Sequence, residues 1–94
     1  MAQYMVEVSI QSENRNEIIK RFSDGAALEL PAGAKLVGRW HAPGQLEAWN
    51  VVEADDPKVV YDWLLNWNDI CDTRVIPVIT DEETGDLIQK HGLG

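Results

Sequence analysis

Residues 53–69, Glu53-Ala54-Asp55-Asp56-Pro57-Lys58-Val59-Val60-Tyr61-Asp62-Trp63-Leu64-Leu65-Asn66-Trp67-Asn68-Asp69, decide how this chain folds: they hold a helix start and two of its four tryptophans on one stripe. Asp55 or Asp56 supplies a cap for backbone N–H groups that a first helical turn leaves unpaired. Pro57 suits that turn because its missing N–H costs nothing there. Val59, Val60, Trp63, Leu64 and Trp67 then recur at helical spacing. So broad an apolar face needs a large cover.

The 94 residues make one domain, and a chain this short buries only a modest part of its surface, so a second copy is a natural source of extra core. The net charge is -8, and the eight basic residues are scattered. Nucleic acid and anionic membrane surfaces call for clustered Lys and Arg, so neither is an expected partner. The single cysteine, Cys71, cannot form an internal disulfide. With no charged start followed by an apolar signal segment, the expected location is cytoplasmic. No apolar run approaches the about 20 residues of a spanning helix.

Upstream of the tryptophan helix, Tyr4 to Ile10 alternates strictly, which predicts a strand with Tyr4, Val6, Val8 and Ile10 on one face. Ser12 or Asn14 then opens a helix whose stripe is Ile18, Ile19 and Phe22, with Glu13, Arg15, Glu17, Lys20 and Arg21 toward water and Gly25 as terminator. Ala26 to Lys35 reads as a loop with at most one helical turn, where Leu28 and Leu30 offer apolar contacts. Leu36 to His41 and Leu46 to Glu53 flank Ala42-Pro43-Gly44-Gln45, a hairpin signal. A turn centred on Pro43-Gly44 sets Gly38 opposite Trp49, Trp40 opposite Glu47 and Leu36 opposite Val51. An indole could then lie over the glycine across the ladder.

Downstream, Asn66 to Asp72 breaks the helix and Thr73 to Ile79 makes the last strand. Pro77 cannot donate to a ladder, so this strand belongs at a sheet edge or at a bulge. Thr80 with Glu83 spells a capping box, opening a short acidic helix in which Leu87 and Ile88 are expected to pack back. Lys90 to Gly94 should fray. The division expected is a domain over residues 1–80 and an acidic C-terminal helix or tail over residues 81–94.

Strand, helix, strand, strand, helix, strand is the α+β, ferredoxin-like βαββαβ order with an antiparallel four-stranded sheet. Helices cover one face. The strands carry apolar residues on both faces, Leu36, Trp40, Trp49 and Val51 on one, Val37, Leu46, Ala48 and Val52 on the other, whereas a sheet with one wet face alternates cleanly. The second face is therefore expected to meet another subunit.

Gly33 with Lys35-Leu36 and Arg39-Trp40, then Val52-Glu53-Ala54-Asp55-Asp56-Pro57, Trp63-x-x-x-Trp67-x-Asp69 and Val75-Ile76-Pro77-Val78, resemble a family of short bacterial proteins known as a domain of unknown function. That family is similar to the dimeric α+β barrel superfamily, which also contains antibiotic-biosynthesis-type monooxygenases, muconolactone isomerases and haem-degrading enzymes. The resemblance runs from about Tyr4 to Ile79 and implies the fold and a homodimer, but it brings no established activity. The segment after Thr80 lies outside it. The haem-degrading members' Asn, Trp and His cannot be placed residue by residue, so none of those roles is carried over.

Trp40, Trp49, Trp63 and Trp67 are candidate walls for a flat or aromatic ligand, each offering rigid area and one N–H donor. The same spacing serves plain core packing. Arg39, His41 and Asn50 are candidate polar handles: His41 lies at a strand end with Arg39 on its face, Asn50 sits near it on the partner strand, and imidazole handles protons near neutral pH. An exposed hairpin-end histidine is the competing role, and His91 belongs to the tail. Glu7 and Glu53, acids within strands, suit an ion pair between subunits better than a catalytic base.

No metal site is expected. Capping accounts for Asp55 and Asp56 and for Asp81, Glu82, Glu83 and Asp86. No loop spells converging oxygens, Asp69 with Asp72 included, and two distant histidines with one cysteine do not make a zinc site. Carboxylates beside Cys71 disfavour its thiolate. No Ser-His-Asp spacing, phosphate-cradling loop or dinucleotide fingerprint occurs, and no cofactor is expected. The sequence thus predicts a dimer with a small apolar or aromatic organic molecule in a cleft between sheet and helices, where chemistry would resemble cofactor-independent oxygenation or isomerisation. The alternative is a non-catalytic binding or regulatory module whose tryptophans only pack. Whether the chain is an enzyme is left open by its residues.

Overall fold

A computed structural model describes residues 1–25 and 30–94. Its elements are strand β1 (Ala2–Ser9), a 3₁₀ turn (Ser12–Asn14), helix α1 (Arg15–Asp24), β2 (Ala34–His41), β3 (Glu47–Ala54), α2 (Pro57–Leu64), β4 (Asp72–Val78) and α3 (Asp81–Lys90). The strands form one antiparallel sheet in the order β2-β3-β1-β4, so the fold is ferredoxin-like α+β. Of the loop expected from Ala26 to Lys35, residues 26–29, Leu28 among them, lie outside the described residues. Leu30 packs on the core, and Ala34 and Lys35 already belong to β2.

Local chemistry explains the boundaries. Asp56 caps α2, its carboxylate accepting from the Lys58 N–H at 2.7 Å, with Pro57 in the first turn. Gly25, at φ 79, closes α1 by donating to the Arg21 carbonyl. Thr80 and Glu83 make the reciprocal capping box of α3. β4, with Pro77, lies at the sheet edge, paired among the described residues with β1 alone.

Both α1 and α2 cover the same sheet face. Tyr4, Val6, Val52 and Ala54 pack under Val60, Trp63 and Leu64 in one cluster, while Ile10, Ile18, Trp67 and Cys71 form a second. Trp67 lies beyond the last residue of α2, carried into the second cluster by a run of turns in which its N–H donates to the Leu64 carbonyl.

The hairpin differs from the expected register. Gln45 N–H donates to the Ala42 carbonyl around Pro43 and Gly44, with Gly44 at φ 99, the pattern of a type II turn. Gln45 is itself left-handed, at φ 61, and with Leu46 it lengthens the β3 side before Ala42 pairs with Glu47. Trp40 therefore faces Trp49, not Glu47, and Gly38 faces Val51, not Trp49. The indole over Gly38 is that of Trp40, two residues along the same strand: a Cβ added to Gly38 would stand 2.6 Å from Trp40 Cη2.

An irregularity between Leu36 and Gly38 corrects the expected faces as well. Leu36 pairs with Val52 and packs in the core, whereas Trp40 lies on the opposite face. The extra residue, Val37, changes the phase of the alternation, so Leu36, Arg39 and His41 share the helix-covered face. Leu46 falls outside β3 and is exposed.

The C-terminal helix is the other departure. α3 buries none of its residues, and Leu87 and Ile88 are 50% and 41% exposed, so they do not pack back. The chain extends 51 × 29 × 17 Å with a radius of gyration of 15.4 Å, against about 12 Å for a compact chain of this length.

Candidate ligand-binding site

At the hairpin end, the helices do not fully close over the sheet, leaving a partly enclosed cavity of about 50 Å³. That is room for a few water molecules or the head of a small ligand. Its walls are mostly apolar, with Ile10, Ile18, Phe22 and Leu64 among them. Arg39, His41, Asn50, Trp63 and Trp67 all line it. Trp40 and Trp49 do not: they pair across β2 and β3 on the uncovered sheet face.

Period-two alternation delivers the polar group. Arg39 and Asn50 are register partners, and His41 and Ala48 the next pair on that face. Arg39 Nε donates to Asn50 Oδ1 at 2.6 Å. A guanidinium only donates, so this contact fixes the amide's orientation and leaves the Asn50 NH₂ as a further donor. Asn50 is 4% exposed. Burial pushes the Arg39 pKa down, and among the described residues no carboxylate stands within ion-pair distance of it.

α1 supplies a residue that the sequence did not single out for the site. Phe22 stands between the two cationic or protonatable handles: the Arg39 guanidinium carbon is 5.1 Å from its ring centroid, and the His41 ring meets it edge-on at 5.4 Å and 80°. Its signal was the four-residue spacing from Ile18, which puts both on the sheet-facing stripe of α1.

Two further groups shape the walls. Trp63 Nε1 is buried with no acceptor among the described residues. The buried Cys71 Sγ donates to the Trp67 carbonyl at 3.3 Å, and burial, then Asp72 and Asp69, push its pKa up to about 11, so it is a poor nucleophile near neutrality.

Trp67 is held from outside the cavity. Arg21, expected to face water, grips Asp69 with two bonds, Nη1 to Oδ1 at 2.9 Å and Nη2 to Oδ2 at 2.7 Å, and also donates to the Asn66 carbonyl. This fork ties α1 to the turns on either side of Trp67. The strand acids lie elsewhere: Glu53 accepts from Gln3 Nε2 at 3.2 Å, and Glu7 is the register partner of Arg74. Among the described residues, no group of three or more His, Cys, Asp or Glu side chains could hold a metal ion, and no helix is long and apolar enough to cross a membrane.

Compared with curated proteins and with solved structures, the chain finds no match. A family pattern does cover it, and runs on through α3, past Ile79 where the resemblance read from the sequence ends. Over residues 2–92 the chain matches the family described as Domain of unknown function (DUF3303), and it belongs to that family.

Proposed function

We propose that this protein binds a small organic molecule with a flat apolar body in the cavity between sheet and helices. The observation that carries the reading is the grouping of Arg39, His41 and Asn50, from two strands, in the lining of a mostly apolar hollow walled by Phe22, Trp63 and Trp67. Such a mixture, mostly apolar with a few placed polar groups, is what ligand sites are built from. Of the described lining residues, only His41 is of a type that moves protons near neutral pH once Cys71 is set aside. Binding is therefore the function proposed, and an isomerisation or cofactor-independent oxygenation would have to be served by that one imidazole.

The working unit we propose is a homodimer in the cytoplasm, where a lone thiol stays reduced. Support comes from the uncovered sheet face, where Trp40 and Trp49 pair and share the face with Met5, Val51, Ile76 and Val78 as well as with Gln3, Glu7, Glu53 and Arg74. A face of this composition on a chain of 94 residues is a natural interface.

A small-molecule library screened by thermal shift tests the first reading, because a ligand that binds only the native state raises the melting temperature. Flat, compact compounds should do so, with NMR shifts at Phe22, Arg39 and Trp67. Failure of every compound to shift those residues would overturn it. Sedimentation tests the second: wild type should travel as two chains and Trp49→Lys as one, whereas a wild type that stays a single chain at high concentration refutes the dimer.

A further inference from the structure

We propose that the cavity selects an anion, namely a small aliphatic or aromatic monocarboxylate whose oxygens sit on the Arg39 guanidinium with its carbon body against Phe22 and Trp67; this rests on the small-molecule reading above. The cavity's polar groups are unbalanced. Arg39 can only donate, Asn50 Oδ1 already accepts one bond from it, and the buried Trp63 adds an indole N–H without an acceptor among the described residues. Gln45, His41 and Thr73 are neutral lining groups that can accept as well as donate. Neither Asp nor Glu is among the described lining residues. The described lining thus has neutral acceptors but no negative charge to set against the guanidinium, so the component it lacks is an anionic acceptor.

The charge pattern sharpens this. The chain has 16 acidic residues and 8 basic ones, yet Arg39 has no carboxylate within ion-pair distance among the described residues, while Arg21 has two. In so acidic a protein, a half-buried guanidinium without an acid implies a counter-ion from outside. Asn50 holds Nε and leaves the two Nη groups, the fork that suits a carboxylate. One uncompensated cation matches one negative charge, and the -8 of the whole chain repels a polyanion such as a nucleotide. A volume of about 50 Å³ limits the buried part to a carboxylate and a few carbons.

Matched pairs test the idea on the full-length chain. Butyrate, benzoate and phenylacetate are titrated beside butyramide, benzamide and phenylacetamide, with binding read from NMR shifts of Arg39 Nε, Trp63 Nε1 and the Phe22 ring. The acids should bind at least tenfold tighter than their amides. Arg39→Gln should bring the acid-to-amide ratio down to about one, whatever it does to amide binding itself, and Arg39→Lys, which keeps the charge without the fork, should restore part of the preference. The backbone spectrum of each variant establishes that it folds. Acid and amide binding equally well in wild type would overturn anion selection and leave the small-molecule reading intact. If neither member of any pair shifts the cavity residues, anion selection falls, and the library screen decides the small-molecule reading separately.

Discussion

Arg39 and Asn50 face one another across β2 and β3 and are joined by a 2.6 Å hydrogen bond from Nε to Oδ1. Each makes the other tolerable: the amide gives the half-buried guanidinium its acceptor, and the guanidinium satisfies the amide oxygen inside the sheet-helix layer. The bond also restrains one edge of the guanidinium and leaves both Nη groups out of it.

Removing either partner should therefore cost more than removing both. Asn50→Leu or Arg39→Met alone strands a buried polar group and should lower stability by about 1–3 kcal/mol. The double variant should cost less than the sum of the singles. A double-mutant cycle on urea midpoints reads the coupling directly, and strict additivity would show the bond to be energetically idle.

The two cavity tryptophans should respond differently to substitution. Trp67 is buried at 7% exposure among Ile10, Ile18 and Cys71, so Trp67→Ala opens a hole in that cluster and should cost about 3–5 kcal/mol. Trp63→Phe keeps most of the ring and removes an N–H that has no acceptor among the described residues. Relief of that unmade bond offsets the lost area, and stability should stay within about 1 kcal/mol of wild type. Guanidinium denaturation of both variants checks the contrast.

What the sequence made legible was whatever repeats with a short period. Alternation in β1 and the four-residue recurrence in α2 mark their elements, and strand period puts Arg39 and His41 on one face, whereas the pairing of Arg39 with Asn50 depends on the register. The register was not legible, because it depends on two backbone events with weak residue signals: a left-handed Gln45, where glutamine is not a preferred residue, and the extra Val37 in β2. The spacing from Ile18 puts Phe22 on the sheet-facing stripe of α1, but its contacts with Arg39 and His41 run between α1 and β2, which no local pattern encodes. For α3 the capping box was readable, but a cap states only that a helix starts, not what its Leu87 and Ile88 touch.

The Trp40 indole over Gly38 gives a prediction about the open sheet face. In Gly38→Ala the new Cβ would stand 2.6 Å from Trp40 Cη2 and 3.1 Å from Cζ3. Trp40 is 57% exposed on the single chain, so within one chain its ring can swing away at about 1 kcal/mol, the low end for overpacking, and any loss at the proposed dimer interface comes on top of that. In a Trp40→Ala background the same change should cost less. Near-ultraviolet circular dichroism should report the displaced indole in Gly38→Ala even where the melting temperature moves little.

Acid should loosen the grip on Trp67 through Asp69. The hydrogen bonds from Arg21, with a smaller Coulomb contribution from the same guanidinium, hold the Asp69 carboxyl below the usual carboxylate range. A carboxyl whose folded pKa is depressed binds fewer protons in the native state than in the unfolded one. Its contribution is therefore present above the unfolded Asp value and is lost as pH falls through the folded value. Wild type should accordingly be more stable than Asp69→Asn at pH 7, and the difference should disappear in acid below both values. The pair is exposed, so salt should shrink the pH 7 difference too. Urea midpoints for the two proteins across the acid range test the sign: a gap that persists unchanged in strong acid would mean that Asp69 acts through packing and not through its charge.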